Sequence, residues 1–443
     1  MVIRIWGKNV KLRTNIRLII SLLFLLSSSN IIAGIMKCGN AEGDSTFSNI
    51  DIKIDRIIKN GNLPSTQIAI VEGEKVIWSK FYDNSNNEKV LYKIGSIEKV
   101  LTATAYLQLH EKKVININDD VNKYLPFSLR HPKYPDVPIT IKMLLSNRSG
   151  LEMFKNQFDW DTKDIDLIKK DVTWLREIKN WNKEQFIRAS LDTGNINYSK
   201  SSWNFKPGTN YIYSNSGFFI LSYLLENITG QTYAKYIIEN IFKPLNMNDS
   251  RFVEIDSSSS RFVAYTRNGK QNIKLQSMSG MYTTANDMAK FMIAHMNMGN
   301  YNGFTLLSPK TIELMYAKHT HGKNLFHLID NCPFDGYGLG IIHYDEDIYG
   351  HGGSTIGYQS LWSFNRSSKK GYIILTNING LVYGSSNFNS IWNSVSAIEE
   401  LLKSELGFTR SRWIIYYLIG SFILISFLVI FIMKKRKRAF NTT

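Results

Sequence analysis

The pair Ser96 and Lys99 is the first place in the chain where residue types and spacing could do chemistry. Three residues is nearly one helical turn, so a helix would put the hydroxyl and the amine on one face. A serine hydroxyl needs a nearby base, and a partly desolvated lysine can serve because burial disfavours its charged form. The start of a helix also offers unpaired N–H groups, which would favour an oxyanion beside Ser96.

Two further patterns add weight to this pair. Tyr213-Ser214-Asn215 follows a Pro-Gly turn and precedes an apolar helix that we predict to start near Gly217. His351-Gly352-Gly353 stands where the last predicted strands begin, and it is the one H-x-G among eight histidines. The three patterns together predict a nucleophilic centre.

Each of the first two patterns also occurs a second time. Ser367 and Lys370 repeat S-x-x-K, but in a polar turn between two predicted strands, where nothing would desolvate the lysine. Tyr82 and Asn84 repeat Y-x-N, but at the end of a strand only a few residues before Ser96. We therefore assign the chemistry to the first set.

The elements that must position these residues can be read from periodicity. Alternation predicts a hairpin over residues 66–82, and an apolar run from Ser96 to about His110 predicts a buried helix. Further strands are predicted at 338–344, 358–364 and 372–376, and a last helix at 390–406. Strands at both chain ends with helices between them indicate one antiparallel sheet built from both ends, with an inserted, mainly helical lobe.

In this order, Ser-x-x-Lys, Tyr-x-Asn and His-x-Gly resemble the serine β-lactamase and penicillin-binding-protein superfamily, in its class C and D,D-peptidase-like branch. The flanking text agrees at residues 92–96 (YKIGS), 139–151 (ITIKMLLSNRSGL), 207–215 (PGTNYIYSN), 241–247 (IFKPLNM), 279–287 (SGMYTTAND) and 350–353 (GHGG). The resemblance covers residues 50–405. It implies an α/β (α+β) fold of the β-lactamase/transpeptidase type, with helices flanking the antiparallel sheet.

The resemblance also implies roles for the residues of the first two motifs. Ser96 would be the nucleophile that becomes acylated. Lys99 and Tyr213 would act together as the proton-transfer pair, taking the serine proton and passing it to the leaving group. Asn215 would orient both the substrate amide and Lys99.

The third motif would supply the substrate-binding strand. His351 would face the pocket, and Gly352 and Gly353 would belong to an edge strand on which the substrate lies. The backbone N–H groups of Ser96 and Ser354 would form the oxyanion hole. The superfamily needs no cofactor and no metal, so we expect neither.

The chain departs from dedicated class C β-lactamases at this third motif. Those enzymes carry Lys-Thr-Gly where this chain has His351-Gly-Gly353, and the lysine attracts the acidic group of a β-lactam. A largely neutral histidine would do so poorly. Residues 155–205 are a further insertion with no counterpart in the family pattern. We therefore expect a peptidase or esterase more than an efficient β-lactamase.

The formal net charge of +16 would by itself suit a nucleic-acid-binding protein. Six lysines and arginines without acids lie in residues 1–41 and seven lie in residues 410–443, which leaves +3 for residues 42–409. The positive charge belongs to the tails. We therefore expect a lipid bilayer, and no nucleic acid, among the partners.

The tails are typical of membrane-topology signals. Residues 1–41 join a basic segment to an apolar run, which indicates a signal peptide or an uncleaved N-terminal anchor. The sequence predicts a transmembrane helix over residues 410–433 and a basic cytoplasmic tail over residues 434–443. Residues 42–409 would then be an extracytoplasmic domain, on the periplasmic side or the cell exterior, held by a single-pass C-terminal anchor.

Two functions of different classes follow from these expectations. The first is a membrane-anchored serine hydrolase that forms an acyl-enzyme on Ser96 and acts on a small-molecule or peptide substrate, such as a cell-wall-derived D-amino-acid peptide or an ester. The second is a catalytically silent protein of the same fold that binds a cell-wall or other ligand as a sensor. All the motif residues are present, which favours the enzyme.

Overall fold

The computed structural model of the chain describes residues 45–61, 63, 65–83, 90–155, 157, 181–252, 263–266, 269–272, 280–326, 333–355, 357–377 and 387–408. The chain forms two compact units, residues 1–56 and residues 57–443. Described residues 45–56 of the first unit are helical. Every strand given below belongs to the second unit.

Helices occupy much of the described chain before the final strands, and one helix follows them. The α-helices of the described residues are α1 (Ser45–Gly61), α2 (Glu98–Glu111), α3 (Ile141–Leu145), α4 (Lys183–Leu191), α5 (Asn215–Thr229), α6 (Tyr233–Ile237), α7 (Ala285–Met296), α8 (Pro309–Tyr316) and α9 (Asn387–Glu405). Short 3₁₀ turns lie at Gly95–Ile97, Val121–Lys123 and Lys200–Ser202, and a π-helical turn at Ile238–Phe242.

The strands concentrate at the two ends of the second unit. They are β1 (Ser65–Glu72), β2 (Lys75–Asp83), β3 (Tyr92–Lys93), β4 (Arg251–Phe252), β5 (Val263–Thr266), β6 (Gly269–Asn272), β7 (Met281–Thr283), β8 (Asn300–Tyr301), β9 (Phe304–Thr305), β10 (Thr320–Phe326), β11 (Pro333–Tyr337), β12 (Ile342–His343), β13 (Ile348–Thr355), β14 (Tyr358–Asn365) and β15 (Lys370–Thr376).

One antiparallel sheet joins both ends of this unit, as the sequence predicts. Its eight strands run in the order β10-β11-β12-β13-β14-β15-β1-β2. The N-terminal hairpin meets the C-terminal strands where β1 pairs with β15, with Ala69 opposite Ile373. A large apolar core includes residues from this sheet and from the helices, among them Ile373, Phe219 and Phe291. The α/β fold with an antiparallel sheet is therefore confirmed.

The strand predicted over residues 338–344 was wrong in its extent, whereas the strands predicted over 358–364 and 372–376 agree with β14 and β15. In place of one strand over 338–344, the chain forms the two-residue β12, and β10 and β11 extend the sheet beyond it. Strand β13, expected at the sheet edge, is therefore internal. However, β12 pairs with β13 only through Tyr349 and Gly350, so His351 to Thr355 run on past that pairing.

The helix that carries Lys99 lies inside the molecule. Residues 98–109 of α2 are all buried, which agrees with the nearly all-apolar pattern that predicted a core helix. Tyr106 donates from its hydroxyl to the carbonyl of Leu221 on α5 at 2.6 Å. Thr104 lies 3.4 Å from His295 Nε2 on α7. Helix α2 is thus fixed by neighbours on several sides.

Strand β13 approaches the start of α2 so closely that only glycine fits. A Cβ on Gly353 would stand 1.8 Å from the carbonyl oxygen of Ile94, and a Cβ on Gly95 would stand 2.7 Å from the amide nitrogen of Ser354. Ser360 on β14 donates to the same Ile94 oxygen at 2.7 Å. These contacts hold the third motif against the first.

The predicted C-terminal anchor lies outside the residues that the structure describes. Helix α9 agrees with the helix predicted over 390–406. Among the residues described above, no helix combines the length and apolar character needed to cross a bilayer. The predicted transmembrane residues 410–433, the tail 434–443 and the leader 1–41 all lie beyond those residues.

Gly353→Ala should separate close packing from ordinary glycine strain. We expect it to lower the free energy of unfolding by about 3 kcal/mol, because the added methyl overlaps a backbone oxygen that cannot move alone. Gly73→Ala is the control: its φ is +60° with open space around it, and it should cost only about 1 kcal/mol. Urea unfolding measures both, and equal losses would contradict the packing argument.

Candidate active site

Ser96 and Lys99 meet at the beginning of α2. Ser96 lies in the 3₁₀ turn Gly95–Ile97, and Lys99 is the second residue of the helix that follows. The Lys99 Nζ donates a hydrogen bond to Ser96 Oγ at 3.1 Å. Both side chains are buried, with 8% and 3% of their surface exposed. An amine and a hydroxyl in direct contact, away from water, can exchange a proton if the amine is neutral.

The second motif brings Asn215 to the same lysine. Helix α5 begins at Asn215, two residues before the predicted start, because Ser214 caps it by accepting from the amide of Gly217 at 2.8 Å. The Asn215 Oδ1 accepts a hydrogen bond from Lys99 Nζ at 2.8 Å. Lys99 therefore bridges the two motifs, which are more than a hundred residues apart in sequence.

Asn147 fixes the position of the second motif. Its Oδ1 accepts from the amide of Ser214 at 3.0 Å, and its carbonyl accepts from the amide of Ile212 at 2.9 Å. Asn147 has φ +55°, a conformation that asparagine tolerates better than most residues. These contacts give Asn147 a structural role at the site.

The aromatic ring of Tyr213 lies beside the amine of Lys99. The Lys99 Nζ lies 4.8 Å from the centre of the Tyr213 ring and 5.5 Å from that of Phe218. Aromatic faces attract a cation, so they help to hold an ammonium group that burial would otherwise penalise. Tyr213 is half-buried and stands next to both the base and the third motif.

His351 is fully buried between two tyrosines. Its ring centre lies 6.2 Å from each of the Tyr213 and Tyr337 rings. Its Nδ1 lies 2.6 Å from the carbonyl of Gly352; a carbonyl can only accept, so Nδ1 carries the hydrogen. The Tyr337 hydroxyl is 3.4 Å from Nε2. An uncharged imidazole satisfies both contacts.

Ser354 lies beside the residue that precedes Ser96. The space for a Cβ on Gly95, which has φ +51°, is filled by the backbone of Gly353 and Ser354. Ser354 is half-buried at the end of β13, and Gly352 and Gly353 are buried. The backbone amides of Ser96 and Ser354 thus belong to segments in direct contact, as an oxyanion hole requires.

Sequence reasoning missed three groups near the site. Tyr337 and Tyr211, whose ring centres are 5.4 Å apart, stand beyond His351. Glu98 is a buried acid directly before Lys99, and burial raises its pKa to about 8. Its signal in the sequence was an acid directly before the motif lysine, at the start of a mostly apolar helix. Within the described ranges, no three His, Cys, Asp or Glu side chains are grouped so that they could hold a metal ion.

The second S-x-x-K motif lies between two strands, as the sequence predicts. Ser367 stands in the turn between β14 and β15, and Lys370 is the first residue of β15. The Ser367 hydroxyl donates to Asp347 at 2.7 Å in an exposed position. Lys370 lies 3.4 Å from Glu72. This serine and this lysine each have a different partner, so the turn does not reproduce the geometry at Ser96.

Comparison with known proteins agrees with this arrangement. A protein-family model described as Beta-lactamase matches residues 50–393, more than three quarters of the chain. The chain belongs to the beta-lactamase family. It is thereby a member of the serine β-lactamase and penicillin-binding-protein superfamily, whose members are serine hydrolases.

Two curated relatives of this family member come from Staphylococcus aureus. Protein flp is 26% identical over 342 residues, which cover 74% of this chain and 62% of that protein. Teichoic acid D-alanine hydrolase is 27% identical over 274 residues, covering 58% of this chain and 59% of that protein. The chain thus spans about three fifths of the length of the curated relatives it matches.

Solved structures show the same fold at low identity. A penicillin-binding protein homologue from Pyrococcus abyssi has a TM-score of 0.61 at 22% identity, with 81% of this chain and 79% of that chain covered. A D-stereospecific amidohydrolase from Streptomyces has a TM-score of 0.57 at 22% identity, with 74% and 94% covered. At this identity the likeness establishes the fold alone.

Asn215→Asp tests how the lysine is held. An aspartate would put a carboxylate where the neutral Oδ1 now lies 2.8 Å from Lys99 Nζ, and would hold the ammonium in its charged form. We expect acylation of Ser96 by a fluorophosphonate to slow by roughly ten- to a hundredfold near neutral pH, and to recover as the pH rises.

The matched control is Asn227→Asp, which adds the same charge at an exposed position of the same helix. Its acylation rate should stay within about twofold of the wild type, because solvent screens an exposed charge. Equal rates for the two variants would show that the contact between Asn215 and Lys99 does not control the serine.

Proposed function

We propose that this chain is an extracytoplasmic serine hydrolase that forms an acyl-enzyme at Ser96 and releases D-amino-acyl groups from esters, amides or peptides. The observation that supports it most strongly is the buried Lys99 Nζ, 3.1 Å from Ser96 Oγ and 2.8 Å from Asn215 Oδ1. This is the arrangement of a nucleophile with its base and a group that orients the base.

The proposed reaction has two halves. Ser96 Oγ attacks the substrate carbonyl while its proton moves to neutral Lys99, and the backbone amides of Ser96 and Ser354 stabilise the oxyanion that forms. The carbonyl then re-forms and the bond to the leaving group breaks, with a proton delivered through Lys99 and Tyr213. A water molecule next attacks the acyl-enzyme, which releases the acid and restores Ser96.

The third motif bears on the choice of substrate. His351 is buried, and an uncharged ring satisfies its contacts with Gly352 and Tyr337. The site therefore offers no fixed ammonium group at this position for the carboxylate of a β-lactam or of a peptide C-terminus. A D-amino-acyl ester or amide has no such carboxylate beside the reacting carbonyl. We therefore favour esters and amides over penicillins.

The names of the matched proteins support a D-configured acyl group. One relative is a teichoic acid D-alanine hydrolase, and one structure of the same fold is a D-stereospecific amidohydrolase. A D-alanyl ester derived from the cell wall is thus a reasonable substrate class for this chain.

The cellular location is proposed from the tails. The uncharged run over residues 413–433, followed by five consecutive lysines and arginines, supports a single-pass C-terminal anchor in the cell membrane. The positive cluster would stay in the cytoplasm, which would place the catalytic domain outside. A wall-derived substrate would be accessible from there.

Substrate turnover tests this proposal. We expect the full chain to hydrolyse a D-alanyl ester and a D-amino-acid amide at least about tenfold faster than the L-enantiomers, and to turn over benzylpenicillin more slowly than either D-compound. Ser96→Ala should abolish all of these reactions. The readouts are the release of alanine or ammonia, measured for each enantiomer.

Two results would count against the proposal. Turnover that persists in Ser96→Ala would assign the chemistry elsewhere. Binding of the D-alanyl ester without turnover, by folded wild-type protein, would favour the silent binding function. Ser367→Ala, which removes the serine of the exposed S-x-x-K, should leave turnover unchanged and serves as the control.

A further inference from the structure

Glu98 is a buried acid next to the proposed base. It is the first residue of α2, directly before Lys99, and only 7% of its surface is exposed. Its Oε1 accepts no hydrogen bond from any residue in the described part of the chain. A buried carboxylate in that situation is costly, whereas a protonated carboxyl costs much less. The surroundings therefore favour the uncharged acid.

Basic and phenolic groups face Glu98 from several elements. They are Lys93 on β3, Lys99 on α2, Lys183 on α4 and Tyr233 on α6. Burial raises the pKa of Glu98 to about 8, and the positive charges of Lys93 and Lys99 oppose that rise without cancelling it. Near neutral pH the carboxyl is thus protonated despite three lysines around it.

Two of these groups have nearer partners than Glu98. The Lys183 Nζ lies 2.8 Å from Glu226 Oε1, in an ion pair on the outer side of the cluster. The Tyr233 hydroxyl lies 2.8 Å from Thr102 Oγ1, which in turn donates to the backbone carbonyl of Glu98 at 3.0 Å. Neither contact involves the carboxyl group of Glu98.

We propose that Glu98, a buried carboxyl directly before Lys99 whose Oε1 has no hydrogen-bond partner in the described part of the chain, is a positioning residue whose charge state controls how readily Lys99 gives up its proton and acts as the base for Ser96. The inference rests on the proposed function, because it concerns how Ser96 is activated. An ionised Glu98 would stabilise the Lys99 ammonium and make it a poorer base. A neighbouring unit charge inside a protein shifts such an equilibrium roughly tenfold or more.

The direction of the pH effect follows from the sign of each charge. Below about pH 8 Glu98 is neutral and leaves Lys99 unaffected. Above that pH Glu98 loses its proton, and the new negative charge raises the pKa of Lys99. In the wild type, the acylation rate of Ser96 should rise with pH as Lys99 loses its proton, but this rise should be smaller above pH 8. In a variant without the carboxyl, the rise should continue above pH 8.

The first test is the rate at which a fluorophosphonate acylates Ser96, measured from about pH 6.5 to 9.5 in wild type and in Glu98→Gln. We expect the ratio of the variant rate to the wild-type rate to rise roughly three- to tenfold on passing pH 8. Glu111→Gln is the matched control, since Glu111 ends the same helix at the surface and bonds to the Ser308 amide at 2.7 Å. Its ratio should stay flat.

The second test needs no catalysis. A double-mutant cycle of Glu98→Gln and Lys99→Met, followed by urea unfolding at about pH 7 and pH 9.5, measures the coupling between the two side chains. We expect the coupling to be larger at the higher pH, where Glu98 is charged. If Glu98→Gln does not fold, Glu98→Met removes the same charge.

The two tests separate this inference from the proposed function. No Ser96-dependent labelling, together with coupling that grows with pH, would reject the proposed function and keep the electrostatic link. Ser96-dependent labelling, together with a flat rate ratio and unchanged coupling, would reject the role of Glu98 and keep the function. A Glu98→Gln rate ratio that falls with rising pH would also overturn the inference.

Discussion

The burial of one amine is the constraint on which the rest of this structure depends. Lys99 Nζ contacts Ser96 Oγ and Asn215 Oδ1 and lies over two aromatic rings, with almost no surface exposed. Taking a lysine out of water is costly, and the neutral acceptors and aromatic faces offset only part of that cost. Burial disfavours the charged form of an amine, and a base must be able to take up a proton in its neutral form.

Keeping the amine buried requires parts of the chain that are far apart in sequence to meet within a few ångströms. Gly340, Gly95 and Gly353 make this possible, because a Cβ at any of them would overlap a neighbouring backbone atom. Gly340 lies against the carbonyl of Lys99 itself, at a position where a Cβ would be 2.6 Å away. The tight packing around the start of α2 is therefore part of the catalytic arrangement.

Much of the fold could be predicted from the sequence because its signals are local. Alternation marked the hairpin of β1 and β2, and a mostly apolar run marked α2. Strands β10 and β11 were missed and β12 was predicted too long, because β12 has two residues and the pairing of β10 with β11 shifts register between His321 and Leu325. Such short or interrupted strands are held by their neighbours in the sheet and carry little pattern of their own.

The residues of the site also divide into those that the sequence predicted and those that it missed. Ser96, Lys99 and the Tyr213 segment were found because each motif is compact in sequence. Tyr337 and Glu98 were missed, since their importance arises from what the fold places beside them. An acid directly before the motif lysine is visible in the sequence, but its protonation depends on burial and on the surrounding lysines, which only the tertiary structure reveals.

The most direct test of the central claim, that Lys99 activates Ser96 as the acylated residue, is intact-protein mass measurement with peptide mapping. Wild-type protein, Lys99→Met and Ser96→Ala would each be treated with a fluorophosphonate. The account predicts a single adduct on Ser96 in the wild type, a slowing of at least about a hundredfold in Lys99→Met, and none in Ser96→Ala. An adduct on another residue, or equally fast modification of Ser96 without Lys99, would contradict it.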